Sequence, residues 1–254
     1  MELVFFDANC RLGRTAAPRP EARRETADIA AELVHCGIRR ALCYHALARE
    51  YAPAVGNALL QQEIVRHKSG GPEFVPGWVL LPPETREQGP LADQILQMRA
   101  ARVRAVRLFP AEHQWRLNEW NAGRLLEMLE SQLLPTFIDL DQTDFDAVAA
   151  VCQQYSLLPL VLLRVGYRTC RYLYPLLEKH PNLHLDISLF QAHGAIEEVC
   201  ERFGPDRLLF ATGLPVVAPG PAVAQVTYAD ISEEQKSLLA GGNLSRLLEA
   251  AYGN

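Results

Sequence analysis

The sequence predicts an α/β fold, a single (β/α)₈ barrel of the TIM type, with parallel strands inside a ring of helices. Three observations carry that prediction. Short runs that are apolar at nearly every position mark strands covered on both faces, as in parallel sheets. Eight such runs alternate with stretches of helical spacing, the rhythm of a closed barrel. The chain has 254 residues, 49% of them hydrophobic, and one such barrel takes about 250 residues. A doubly wound open sheet is the alternative. It is weakened by the lack of a Gly-rich phosphate loop after the first strand. Length alone also admits two domains, but no linker, internal repeat or low-complexity tract divides the chain.

Taken in order, residues 3–6 open the chain as the first strand. Residues 21–36 have helical spacing, and Gly37 stops them, since glycine suits the left-handed position beyond a helix end. Residues 38–44 form the second strand. A helix over 54–67 ends in Ser69-Gly70-Gly71-Pro72, and 74–81 form a third strand closed by Pro82-Pro83. A helix over 91–101 leads into a fourth strand over 103–109, followed by Pro110. The second half repeats this: helix 118–132, strand 135–140, helix 144–155, strand 160–163, helix 171–179, strand 183–187, helix 192–203 and strand 207–211. Residues 213–229 carry three prolines and are predicted as an irregular loop over the barrel mouth. Two helical pieces, 232–240 and 243–251, close the chain, broken by Gly241-Gly242.

The net charge of −5 and the lack of a basic stripe argue against nucleic-acid binding. No apolar run approaches the roughly 20 residues that span a bilayer, so no membrane association is expected. Six cysteines without a CxxC pair, scattered through apolar segments, read as reduced, mostly buried thiols of a cytoplasmic protein. The chain opens on a strand rather than a signal peptide.

In a barrel of this kind the chemistry gathers at the C-terminal ends of the strands. Alternation places Asp7, Asn9 and Arg11 on one face of the first strand. Tyr44-His45, Arg107, Asp139, Arg164, Asp186-Ile187-Ser188 and Thr212-Gly213 fall at the ends of later ones. Arg11, Arg107 and Arg164 could therefore converge on one mouth, with Asp7 and Asp139 among them. Unpaired charges there would be costly. Either the groups pair with one another, or they leave net positive charge for an anion, which the planar guanidinium fork grips well.

The C-terminal quarter then becomes specific. Phe203-Gly204-Pro205-Asp206-Arg207-Leu208-Leu209-Phe210-Ala211-Thr212-Gly213-Leu214-Pro215 resembles a motif of the amidohydrolase superfamily, in its amidohydrolase-related branch. So do Ser232-Glu233-Glu234-Gln235-Lys236, Gly242-Asn243-Leu244-Ser245-Arg246-Leu247-Leu248, and the segment His180-Pro181-Asn182-Leu183-His184-Leu185-Asp186-Ile187-Ser188. The resemblance spans nearly the whole chain and implies a barrel that binds a divalent metal through H-x-H on strand one, a His on each of strands five and six, and an Asp after strand eight. This chain departs at those places. It carries Asn9 and Arg11, then Asp139, then Arg164, then Gly213. Two arginines would repel a cation, and a hydrolytic zinc site needs about three protein ligands. No metal and no other cofactor is expected.

The functional expectation is a metal-independent hydrolase acting on a small anionic or lactone/ester-type substrate. Asp139 would position or deprotonate water, with Arg11 and Arg164 holding the carboxylate or the developing oxyanion. Some lactone-cleaving members of the superfamily work without metal, which the resemblance adds by analogy. His45 could donate protons. Asp7, Asn9, Arg107, His113, Ser188 and Thr212 are candidate substrate-binding residues. Each has a structural reading beside the chemical one: Asp139 as an arginine's partner, the arginines as internal ion pairs, His45 as a local hydrogen-bonder, His113 as a surface residue, Asn57 and Trp78 as packing. Cys10 should face away from the site. The alternative function is a catalytically inactive barrel that binds a small anion or serves as a scaffold. The partner in both cases is a small, anionic molecule, and a homodimer is possible.

Overall fold

The computed structural model describes residues 2–16, 25–67 and 71–253. Strand and helix alternate along the chain: β1 (Phe5–Leu12), α1 (Thr26–His35), β2 (Ile38–His45), α2 (Ala46–Glu50), α3 (Pro53–Arg66), β3 (Glu73–Pro76), β4 (Trp78–Val79), α4 (Leu91–Ala100), β5 (Val106–Leu108), α5 (Glu119–Ser131), β6 (Thr136–Asp139), α6 (Phe145–Gln154), β7 (Leu160–Leu163), α7 (Cys170–Lys179), β8 (Leu183–Asp186), α8 (Ala195–Phe203) and β9 (Leu208–Leu209). Three helices follow: α9 (Gly220–Tyr228), α10 (Glu233–Ser237) and α11 (Asn243–Ala250).

Every strand pair is parallel. The ladders run β1-β2-β3 and β4-β5-β6-β7-β8-β9. The predicted third strand is split at Gly77, whose N–H reaches the Cys43 carbonyl at 2.8 Å while Trp78 N–H turns to Ala105. The two halves therefore serve different neighbours, β3 pairing with β2 and β4 with β5. On the far side, Ala8 N–H donates to Phe210, Gly213 N–H to Asn9, and Arg11 N–H to Leu214. These bonds tie β1 to the segment after β9 and join the two ladders into the barrel.

The apolar strands work on both faces, as their composition requires. Phe6, Ala8, Leu42, Phe137, Val161, Leu163 and Leu209 pack into one cluster with Leu244, Leu247 and Leu248 of α11. That cluster fills the barrel interior, and α11 closes it. The intervening residues, among them Leu160, Leu162, Leu183 and Leu185, pack outward against the helices. Some helix starts are capped by side chains, which satisfies amide groups that lack a partner in the first turn. Asn118 accepts from Asn121 N–H, Asp144 from Ala147 N–H, and Ser232 forms a reciprocal box with Gln235.

Three expectations need correction. Within 213–229, the second half is helix α9 rather than loop. Its prolines sit at and just inside the helix start, where a fixed φ is compatible and the missing N–H is not needed. The closing helices are not broken at Gly241-Gly242. A π-helical turn over Leu238–Gly242 carries α10 into α11 without a gap. The glycines answer a packing demand instead, since a Cβ on Gly241 would lie 2.7 Å from the Val4 carbonyl oxygen. Finally, α2 directly follows β2 and has no counterpart in the sequence reading. The helix expected over 21–36 is seen from Thr26, its first four positions and the Ser69-Gly70 part of the predicted turn lying outside the described residues.

Candidate active site

The C-terminal ends of the strands surround a narrow cavity of about 30 Å³. Larger grooves, about 680 and 810 Å³, lie on the outside of the barrel and bring no comparable set of charges together. Four guanidinium groups line the cavity: Arg11, Arg49, Arg107 and Arg164. Asn9, Tyr44, Asp139 and Ser188 complete its polar wall.

Arg107 rises from β5 and is 5% exposed. Its Nη2 donates to Asp139 Oδ1 at 2.8 Å and its Nη1 to Asn9 Oδ1 at 2.7 Å. The guanidinium also lies over the Tyr44 ring, 4.2 Å from its centre. Burial alone would push the guanidinium's pKa down, but the Asp139 charge and Tyr44 outweigh it and the net shift is upward. Asp139, at the end of β6, is 1% exposed. Its Oδ2 has no hydrogen-bond partner; Arg49 Nη1 stands 3.6 Å away, an ion-pair rather than a hydrogen-bond distance. Arg49 in turn bonds Glu112 at 3.1 Å.

Arg11 and Arg164 differ from these two. Among the described residues neither has a carboxylate partner, and Arg11 Nε is buried without any hydrogen-bond partner. Arg164 follows the end of β7 in the left-handed conformation, φ 59°. A residue with a Cβ rarely holds that conformation unless its surroundings impose it. Here its N–H donates to Asp186 Oδ1 at 2.8 Å. Asp186 also accepts from Ser188 Oγ at 2.7 Å and, more weakly, from Asn9 Nδ2 at 3.4 Å. Burial lifts its pKa to about 6, against the downward pull of those hydrogen bonds.

The structure thus brings together Asn9, Arg11, Arg107, Asp139, Arg164 and Ser188 from the expected set. It places four others elsewhere. Asp7 does not share the face of Asn9 and Arg11, because the β1–β2 register shifts between Asp7 and Cys10 and breaks the alternation. Its carboxylate instead accepts from Asn9 N–H, Thr212 N–H and Thr212 Oγ1 (2.9, 2.9 and 2.6 Å), locking β1 to the segment after β9. Thr212 is wholly committed to that lock and to Leu214 N–H. His45 caps α2, its Nδ1 accepting from Leu47 N–H at 3.2 Å, and does not line the cavity. Burial pushes its pKa down. His113 bonds the Arg49 carbonyl through Nε2 at 2.8 Å and stands outside the cavity. Asn57 bonds both Val79 N–H and Val79 C=O at 2.9 Å, a structural clamp on β4.

Arg49 and Tyr44 are the polar lining residues that sequence reasoning did not single out. Tyr44 was visible as a strand end. Arg49 gave no signal, because α2, which carries it, was not predicted.

A divalent cation does not fit this donor set. The one carboxylate in the cavity wall is held between two guanidiniums, and Asn9, Arg11, Arg164 and Gly213 stand where the related pattern has ligands. Among the described residues no group of three or more His, Cys, Asp or Glu side chains could hold a metal ion.

Comparison with known proteins gives the family and the fold. A family model described as Amidohydrolase matches residues 45–249. No curated protein matches. Among solved structures, a TIM-barrel protein from Bordetella bronchiseptica is 16% identical with a TM-score of 0.73, the match covering 97% of this chain and 99% of that one. A 5-carboxyvanillate decarboxylase from Sphingomonas paucimobilis is 15% identical at TM-score 0.73, covering 98% and 99%. A 5-carboxyvanillate decarboxylase from Novosphingobium aromaticivorans, with bound manganese, is 12% identical at TM-score 0.78, covering 97% of each chain. At these identities the likeness is one of fold.

Proposed function

This chain belongs to the amidohydrolase family, and from that premise we propose that it is a metal-independent barrel whose mouth takes a small anionic carboxyl compound. One observation carries the reading. Arg11 and Arg164 face the cavity with no carboxylate partner among the described residues, while Arg107 and Arg49 share Asp139. Arg11 Nε is buried without a hydrogen-bond partner, a costly state that a bound carboxylate would relieve, and the exposed Arg164 offers that carboxylate a second fork.

The reaction this arrangement could serve is hydrolysis of a lactone or carboxylate ester. Asp139 Oδ2 is the acceptor open to a water proton. Water oxygen would bond to the carbonyl carbon as its proton passes to Asp139, and the arginines would face the charge developing on the carbonyl oxygen. The ester C–O bond then breaks, and the leaving alkoxide takes up the proton. The Arg107 contact that fixes Asp139 Oδ1 also favours the second reading, a barrel that binds the anion without turning it over.

A panel of lactones and carboxylate esters, assayed with and without chelator, tests the enzyme; thermal shift with acetate tests the binder. Arg164 is exposed and makes no side-chain ion pair among the described residues, so Arg164→Ala should leave the unliganded melting temperature unchanged and remove the anion-induced shift. Turnover abolished by Asp139→Asn supports hydrolysis. No turnover with a retained anion shift supports the binder. Activity that disappears with chelator would sink the metal-independent reading, and no anion shift at all would sink the anion site.

A further inference from the structure

We propose that the ligand of this mouth is a short aliphatic hydroxycarboxylate, its carboxylate on Arg11 and Arg164 and its hydroxyl donating to Asp139 Oδ2. The proposal rests on the anion-site reading above and adds the chemical class. Three polar atoms on cavity-lining residues are buried without a hydrogen-bond partner: Arg11 Nε, Arg107 Nε and Asp139 Oδ2. They are of two kinds. A guanidinium only donates, so each Nε calls for an acceptor. An ionised carboxylate only accepts, so Oδ2 calls for a donor. Asp139 is 1% exposed, its Oδ1 is taken by Arg107 at 2.8 Å, and Arg49 Nη1 at 3.6 Å is too far to satisfy Oδ2.

A bare anion would meet the donors and set its own negative charge against Oδ2. An amine would meet Oδ2 and add a cation to four guanidiniums. A molecule with a carboxylate and a neighbouring hydroxyl satisfies both kinds at once. The space sets the length. The cavity measures about 30 Å³, and one water needs about 10–15 Å³ on that measure. Two or three waters' worth of room suits the smallest hydroxycarboxylates, of two or three carbons, better than an aromatic ring.

Calorimetric titration of the intact chain with glycolate, acetate and methoxyacetate tests this. Glycolate carries the donor, acetate lacks the group, and methoxyacetate keeps the oxygen without its hydrogen. Glycolate should bind about tenfold more tightly than either analogue, the expected scale for a hydrogen bond to a charged group. Arg164→Ala should weaken all three alike and leave that ratio standing. Equal affinity for the three overturns the hydroxycarboxylate proposal while leaving the anion site intact. Failure of all three to bind overturns the anion-site reading and this proposal with it.

Discussion

Arg107→Met tests whether the Arg107–Asp139 pair holds the mouth together. The pair is short, 2.8 Å, with side chains 7% and 1% exposed. Methionine fills much of the same volume but removes the guanidinium. Asp139 would keep only Arg49 at 3.6 Å, and Asn9 Oδ1 would lose its 2.7 Å donor. Removing one partner of a buried pair costs about 3–5 kcal/mol. The lost contact with the Tyr44 ring, 4.2 Å from the guanidinium carbon, adds roughly 0.5–2 kcal/mol. A chain of this size shifts by about 2–4 °C per kcal/mol, so the melting temperature should fall by roughly 7–28 °C. Asp139→Leu should cost a comparable amount by stranding the guanidinium. The double variant should lose less than about 2 kcal/mol, because an apolar pair can replace a buried ion pair almost neutrally. Urea unfolding of all four proteins closes the cycle. If the single losses sum to the double within about 0.5 kcal/mol, the groups are not coupled and this account of the mouth is wrong.

Two further outcomes follow from other parts of the barrel. A Cβ on Gly56 would sit 2.1 Å from the Ala48 backbone nitrogen, where α3 crosses α2. Gly56→Ala should therefore destabilise by about 1–3 kcal/mol or more, as overpacking does, and should displace Arg49; wild-type melting and unchanged anion binding would contradict that close approach. The pH profile of stability should contain two opposed contributions. Burial lifts Asp186 from 3.8 to about 6, so the folded state holds that proton more tightly and stability falls as pH rises from about 4 to 6. Burial lowers His184 from 6.5 to about 4, so the unfolded state takes the proton first and stability rises with pH over nearly the same window. Each is on the order of 3 kcal/mol. Asp186→Asn should therefore steepen the loss of stability toward acid, and His184→Gln should lessen it. Identical slopes from pH 4 to 6.5 in the three proteins would refute the assignment.

The fold was legible because burial imposes composition. Leu160–Leu163 is apolar at every position because one face meets the barrel interior and the other the helices. That run was predicted to the residue. The prolines near α9 misled because a residue that breaks a helix interior is tolerated at its start. The mouth was legible in part, since the C-terminal end of a strand is a place that sequence can name: Arg107, Asp139 and Arg164 were found there. His45 and Asp7 were found at such ends too, yet one caps α2 and the other locks β1 to the segment after β9.

By itself, then, the sequence determined the eightfold alternation, the two-sided burial of its strands and the charged residues at their ends. It could not say where each charge goes. A register shift in β1 turned Asp7 away from Asn9 and Arg11, the unpredicted α2 delivered Arg49, and the approach of β5 to β6 gave Asp139 to Arg107 rather than to Arg11 or Arg164. Local patterning reflects how much of each residue is buried. Partner choice among like charges is decided by distances of a few ångströms between strands far apart in the chain, and those exist only once the barrel has closed.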